Sequence, residues 1–133
     1  MAQRYLGEVF PQAKIFRFRP FDTFDQVREE YDRSELCFLM PDQLDRLPDG
    51  TFDLFVNVSS LHEMTRDQIA HYYRIIGKQA RYFYTKQWIT RKNPDDGIVV
   101  SSMMYPTPEH WKVLDADIPQ TNRCFVETVF AVR

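Results

Sequence analysis

Glycine is scarce in this sequence and badly placed for one common purpose. The chain has four glycines in 133 residues, Gly7, Gly50, Gly77 and Gly97, and no two of them are close together. A phosphate-binding or nucleotide-binding turn needs several glycines within a few residues, so that the backbone can approach the ligand. The sequence therefore contains no glycine-rich cofactor turn of its own.

Cysteine is scarcer still, neither sign of charge predominates, and long apolar runs are absent from the sequence. Cys37 and Cys124 are the only cysteines, and they form no C-x-x-C pair, which argues against a metal or redox site. Each stands in an apolar run, where a buried, inert thiol is expected.

The net charge is -2 and the charges are scattered, so the sequence predicts no nucleic-acid partner. No apolar run is long enough to cross a bilayer and no signal pattern opens the chain, which predicts a cytoplasmic protein without a membrane partner.

The chain is rich in apolar and aromatic residues that can form a hydrophobic core. Apolar residues make up 44% and aromatic residues 15% of the sequence, enough for one globular domain over residues 1 to 133. The clearest pattern is a strand at residues 53 to 58, a helix with Thr65 as its N-cap and Gln68 three residues later, and an aromatic strand at residues 81 to 88. This spacing predicts a βαβ unit with parallel strands.

The other segments are predicted from shorter patterns. Residues 111 to 118 and 124 to 132 form two strand-like runs that predict a terminal antiparallel hairpin. The chain before the βαβ unit, and the polar stretch after it, predict the following elements: a helix over residues 2 to 10, a strand over 14 to 18, a helix capped by Thr23 over 24 to 31, a strand covered on both faces over 35 to 40, and a loop over 91 to 97.

Residues 52 to 88 read FDLFVNVSSLHEMTRDQIAHYYRIIGKQARYFYTKQW. This stretch resembles the sugar O-methyltransferase family of the class I S-adenosylmethionine-dependent methyltransferases: an Asp-Leu-aromatic strand, a Ser-Leu-His-Glu-Met turn, a Thr-capped helix with paired tyrosines, and an aromatic strand ending in Lys-Gln-Trp. The segments AQRYL at residues 2 to 6 and CFLMP at 37 to 41 also look like that family. The resemblance covers roughly residues 2 to 90.

The resemblance implies an α/β fold with a three-layer, Rossmann-like sheet, in which the terminal hairpin supplies the sixth and seventh strands. It also implies S-adenosylmethionine as the methyl donor. In the family the donor sits on a glycine-rich turn after the first strand, and that turn is absent here. We therefore expect the first two strands to be missing upstream of Met1, so that the chain is either a truncated domain or one that completes its cofactor site with another chain.

Ligands of open α/β sheets bind beyond the carboxyl ends of the strands, which directs attention to residues 57 to 64. His62 is the candidate catalytic base for a sugar hydroxyl, and Glu63 is the candidate that orients it or binds a hydroxyl. The alternatives are a histidine packed at the junction of strand and helix, and a carboxylate that favours a helix N-terminus.

Four further residues are candidates for substrate binding. Asn57 and Ser59 would line the adenine or substrate side, or would satisfy backbone groups of the turn. Lys86 would hold an anionic sugar and Trp88 would stack on a pyranose ring; the alternatives are a solvated lysine and a core tryptophan.

The resemblance and the absent glycine-rich turn suggest two functions. The first is methyl transfer to a small hydroxylated molecule, in particular a sugar. The second is a non-catalytic interaction module that associates through an uncovered sheet edge, as a homo-oligomer or with a chain that supplies the missing N-terminal half. In either case the strand over residues 53 to 58 is expected to be central, and the following residues are expected to be buried: Leu54, Val56, Ile69, Tyr73, Ile76, Phe83 and Phe125.

Overall fold

A computed structural model describes residues 2 to 92, 97 and 99 to 133 of the chain. The described residues form two compact units, one ending at Pro48 and the other running from Asp49 to Arg133. Within the described residues, no helix is both long and apolar enough to span a membrane. All of the candidate site residues belong to the second unit.

The first unit contains helix α1 (Ala2–Val9), helix α2 (Arg28–Asp32) and two short parallel strands, β1 (Ile15–Phe16) and β2 (Leu36–Cys37). The expected helix over residues 24 to 31 is instead a 3-10 turn followed by α2, because Thr23 makes no capping hydrogen bond. The expected strand over residues 35 to 40 is only two residues long and half-buried, since its single partner is β1. The core of the first unit is built from Phe16, Phe21, Phe24, Val27 and Leu47.

The second unit is built around a four-stranded sheet. Its elements are β3 (Phe52–Val58), α3 (Arg66–Gln79), β4 (Ala80–Trp88), β5 (Thr90–Lys92), β6 (Val99–Ser101), β7 (Lys112–Asp117) and β8 (Phe125–Ala131). Strands β3 and β4 run parallel and are joined by helix α3, whereas β8 lies between β4 and β7 and is antiparallel to both. A separate antiparallel pair, β5 and β6, follows β4.

Helix α3 begins as its sequence predicts. The Thr65 side chain accepts a hydrogen bond from the Gln68 amide, and the Gln68 side chain accepts one from the Thr65 amide, which completes a capping box. The helix then lays its apolar side on one face of the sheet, where Tyr73 stacks on Trp111 with ring centroids 5.6 Å apart and Phe83 stacks on Phe130 at 6.0 Å. The core of the unit therefore lies between α3 and this face.

The strand predicted to be central is an edge strand. Strand β3 has a single hydrogen-bonded neighbour in the described sheet, β4. Its side chains alternate between the two faces, and α3 covers only the face to which Phe55 points. The prediction that Leu54 and Val56 are buried is therefore wrong, because these side chains are 52% and 53% exposed on the other face.

The remaining core predictions are confirmed: Ile69, Tyr73, Ile76, Phe83 and Phe125 are buried. The α/β class is confirmed, and the described residues of this unit place one long helix on one face of the sheet. The expectation of two buried thiols also fails, because Cys124 is exposed beside the start of β8 and Cys37 is only half-buried. Of the loop expected over residues 91 to 97, residues 91 and 92 belong to β5 and residues 93 to 96 lie outside the described residues.

Candidate functional site

The carboxyl ends of the parallel strands β3 and β4 lie side by side. Val58 is in register with Lys86, and the turn from residue 59 to 64 follows directly. The structure thereby brings the six predicted site residues to one edge of the sheet: Asn57, Ser59, His62, Glu63, Lys86 and Trp88. They do not all face a common space.

The turn is sharp because of Ser59. Its φ is 53°, the left-handed region that non-glycine residues seldom occupy, while its amide donates to the carbonyl oxygen of Lys86 at 2.7 Å. The hydrogen bond keeps β3 and β4 paired up to the point where the chain turns away. Ser59 thus shapes the turn through its backbone.

Beneath the turn lies a network of polar side chains. The Gln87 amide nitrogen donates to Asn57 Oδ1 at 2.7 Å and lies 3.1 Å from Thr85 Oγ1. Asn57 Oδ1 also accepts from the Ser60 hydroxyl at 2.9 Å. The side-chain oxygen of Asn57 is therefore bonded to side chains of β4 and of the turn, and a ligand would have to compete with them.

His62 is enclosed. Its side chain is 1% exposed, and neither ring nitrogen has a hydrogen-bond partner in the described part of the chain. The imidazole meets Trp88 edge to face at a centroid distance of 6.3 Å, and its Nε2 lies 3.6 Å from Glu63 Oε1. Burial lowers the pKa of His62, the charge of Arg91 lowers it further, and the charge of Glu63 opposes the shift.

The lowered pKa of His62 favours a catalytic role, whereas its burial opposes one. A lowered pKa keeps the imidazole neutral near pH 7, as a general base must be. Its burial, however, separates both nitrogens from any molecule in solvent. The arrangement is that of a histidine packed at the junction of strand and helix, and a catalytic role for His62 requires the turn to move. Glu63, by contrast, is 59% exposed.

Lys86 already has a partner. Its Nζ lies 2.5 Å from Glu127 Oε1 on the neighbouring strand β8, and the hydrogen bond to Glu127 raises the pKa of Lys86. The same nitrogen lies 5.8 Å from the centre of the Phe125 ring. Lys86 is thus held by a cross-strand ion pair, and an anionic ligand would have to compete with Glu127.

Trp88 is also engaged on its ring faces. The indole packs on Phe125 at a centroid distance of 4.5 Å, and the Arg91 guanidinium lies 4.9 Å from the indole centre. Its Nε1 is buried without a hydrogen-bond partner in the described residues. A pyranose could stack on Trp88 only after one of these neighbours had moved.

The sequence reading missed Gln87 and Tyr105. Gln87 follows Phe83 and Thr85 on the inward face of β4, and a polar side chain at an inward position of a core strand is the signal that would have marked it. Tyr105 lies just after the 3-10 turn over residues 102 to 104, a region for which the sequence predicted no element. The described residues contain no group of three or more His, Cys, Asp or Glu side chains arranged to hold a metal ion.

Comparison with known proteins leaves the chain without an assigned family. No protein-family model and no curated protein matches it. A crystal structure of a proposed type 11 methyltransferase from Sulfolobus solfataricus superimposes with a TM-score of 0.45 at 14% identity, over 98% of this chain and 90% of that chain. A likeness at this level carries no argument about function, which has to come from the site itself.

Proposed function

We propose that the chain is an S-adenosylmethionine-dependent methyltransferase, or part of one, that acts on a small hydroxylated substrate, with a sugar as the class that the sequence resemblance implies. One observation carries the proposal. The parallel unit β3-α3-β4 is followed by the pair β7 and β8, in the order that the resemblance implies for the C-terminal half of such a sheet. The turn of residues 59 to 64 then lies where open α/β sheets bind ligands.

The described residues fit the methyl donor only in part. Asn57 and Ser59 stand at the edge where the adenine or substrate side would lie, but the sequence has no glycine-rich turn to approach the rest of the molecule. We assign that turn to a second chain or to a further segment. S-adenosylmethionine would supply an activated methyl group, and this chain would supply the binding edge. After the turn of residues 59 to 64 has moved to expose it, the neutral imidazole of His62 would take the proton of the attacking hydroxyl.

The test is transfer of labelled methyl from S-adenosylmethionine to a panel of sugars and cyclitols, with the product followed by scintillation counting. His62→Gln is expected to abolish transfer, whereas His110→Gln, at an exposed position, leaves it unchanged. Absence of transfer to every acceptor, also in the presence of cell extract that could supply a partner, would contradict the proposal.

A second function is favoured by a different observation. Strand β3 is an open edge of the described sheet, and the adjoining face carries Leu54, Val56 and Val58 at 52%, 53% and 52% exposure. An open edge beside apolar side chains is a template for pairing. The second proposal is therefore an interaction module, most simply a two-fold dimer that buries at least roughly 1,000 Å² in total.

Light scattering at micromolar concentration tests the second proposal. The molar mass of the wild-type chain is expected to be that of a dimer, and the molar mass of Val56→Lys that of a monomer. Val113→Lys places the same charge on β7, the other edge of the sheet, and should leave the dimer intact. A wild-type monomer of 16.0 kDa would remove this candidate.

A further inference from the structure

Two neighbouring cavities in the second unit play no part in the proposed chemistry so far. The larger, of about 320 Å³, lies between the start of α3 and the segment that follows β6. Its apolar walls are Ile69, Ala70, Val100, Met104 and Pro106, and its charged groups are Arg66 and Asp67. A volume of this order is typical of a site for a small molecule.

The smaller cavity, of about 40 Å³, has a mixed lining, with Tyr73, Val126 and Phe130 as its apolar walls. Hydroxyl and amide groups converge on it from β4, from β8 and from the segment after β6: Thr85, Gln87, Ser102, Thr107 and Thr128. Tyr105 lines both cavities. The two cavities therefore share one lining side chain.

Two residues that line the small cavity each carry a buried polar atom without a hydrogen-bond partner in the described residues. Gln87 is 1% exposed, and its Oε1 accepts no hydrogen bond; the buried hydroxyl of Tyr105 is likewise unpaired. Burial raises the pKa of Tyr105 to about 12, so the phenol keeps its proton at neutral pH and remains a donor. Unpaired buried polar atoms are costly, and a native structure that retains them calls for an explanation.

The missing partner can be described chemically. Gln87 Oε1 needs a donor and the Tyr105 hydroxyl offers one, while a hydroxyl group donates and accepts at once. One hydroxyl in the small cavity would therefore satisfy both atoms. No ionised side chain lines that cavity among the described residues, which favours a neutral group over an anion or a cation.

The geometry points to one binding site across both cavities for a small neutral phenol or similar aromatic alcohol, with its ring in the larger cavity and its hydroxyl between Gln87 and Tyr105. A sugar suits this site less well, because its ring hydroxyls would lie unpaired against Ile69, Val100 and Met104. The inference does not depend on methyl transfer, since binding alone satisfies the unpaired atoms.

The experiment is a titration of the 15N-labelled chain, followed by NMR, with three probes measured without any cofactor. The probes are 4-methylphenol, toluene, which lacks the hydroxyl, and myo-inositol, which lacks the apolar ring. We expect 4-methylphenol to saturate near the millimolar range, toluene to bind roughly tenfold more weakly for want of one buried hydrogen-bonded group, and myo-inositol not to bind.

Two variants separate the two parts of the site. Tyr105→Phe should weaken 4-methylphenol several-fold and leave toluene unchanged, because only the hydroxyl is lost. Ala70→Phe, at an exposed position of α3, should fill the larger cavity and weaken both probes. The matched controls are Tyr72→Phe and Ala116→Phe, which make the same changes away from both cavities and should alter neither affinity.

Several results would overturn the inference. The small cavity holds only water if no probe binds at tens of millimolar while the amide spectrum shows a folded chain. The site is a different one if 4-methylphenol binds but Ala70→Phe does not weaken it. Equal affinity for toluene and 4-methylphenol would mean that the polar pair takes no hydroxyl. None of these results bears on methyl transfer, which the labelled-methyl assay measures independently.

Discussion

The side-chain nitrogen of Gln87 lies 2.7 Å from the side-chain oxygen of Asn57 and thereby joins the carboxyl ends of the two parallel strands. Asn57 Oδ1 also receives the Ser60 hydroxyl, so the same atom holds the turn. The network is buried at Gln87 and half-buried at Asn57. The position of the candidate site thus depends on an interaction between side chains.

Loss of either partner should destabilise the protein. Asn57→Ala and Gln87→Ala are each expected to lower the free energy of unfolding by about 0.5 to 1.5 kcal/mol, because each removes the hydrogen bond between the two side chains, while Ser60 or Thr85 still pairs with the atom that remains. Urea denaturation measures both variants and the double variant. The effects should be less than additive, since the two residues share one interaction, and strict additivity would show that they act independently.

Ser59 provides a test of backbone strain. Its φ of 53° suits glycine, so Ser59→Gly should leave the stability unchanged or raise it by about 0.5 to 1 kcal/mol. Ser59→Val should lower it by about 1 to 2 kcal/mol, because a β-branched side chain is disfavoured in this conformation. Thermal unfolding of both variants gives the comparison, and a Gly variant less stable than the Val variant would refute the left-handed turn.

His62 should make the stability depend on pH. Burial lowers its pKa below the ordinary value of 6.5, so on acidification the unfolded chain takes up the proton before the folded chain does. The contribution of His62 is fully present above about pH 6.5 and is lost as the pH falls toward the lowered value. Denaturation between pH 7.5 and 5 should show this fall in wild type, and His62→Leu should reduce it.

The matched control for that experiment is His110→Leu, which changes a histidine at an exposed position. The pH dependence of this variant should follow that of the wild type. If His62→Leu and His110→Leu gave the same profile as each other, the titration would not belong to the buried imidazole.

The two faces of the sheet should respond very differently to truncation. Phe83→Ala is expected to cost about 3 to 5 kcal/mol, since Phe83 is fully buried beneath α3 and contacts Trp111 and Phe130. Leu54→Ala, on the exposed face, should change the free energy of unfolding by about 0.5 kcal/mol or less in the monomer. Comparable costs would show that the face bearing Leu54 is covered in solution.

The helix and the aromatic strand of the second unit could be predicted from local sequence patterns. The aromatic residues of β4 and the capping residues Thr65 and Gln68 are local signals, and both elements form where those signals place them. The prediction that β3 is a central strand was wrong for a different reason. The segment FDLFVNV is apolar on both faces, as a central strand would be, but this pattern does not show which strands pair with it. Exposure of Leu54 and Val56 depends on tertiary neighbours and not on the strand itself.

The site could be located from the sequence but not read in detail. The strand ends brought the six candidate residues to one edge, as parallel strands require. The partners of Asn57 and Lys86 are Gln87 and Glu127, one on the neighbouring strand β4 and one 41 residues further along the chain, and no spacing rule connects them. Whether a side chain is free for a ligand or used by the fold was therefore decided by long-range contacts.

Calorimetric titration of the purified chain with S-adenosylmethionine is the most direct test of the methyltransferase proposal. Because the glycine-rich turn is absent, we expect weak but saturable heat, with a dissociation constant of about 0.1 to 1 mM, and weaker binding by Asn57→Ala than by the exposed control Leu54→Ala. No heat at several millimolar, from a chain whose fold is verified by circular dichroism, would contradict the claim that this chain holds the methyl donor.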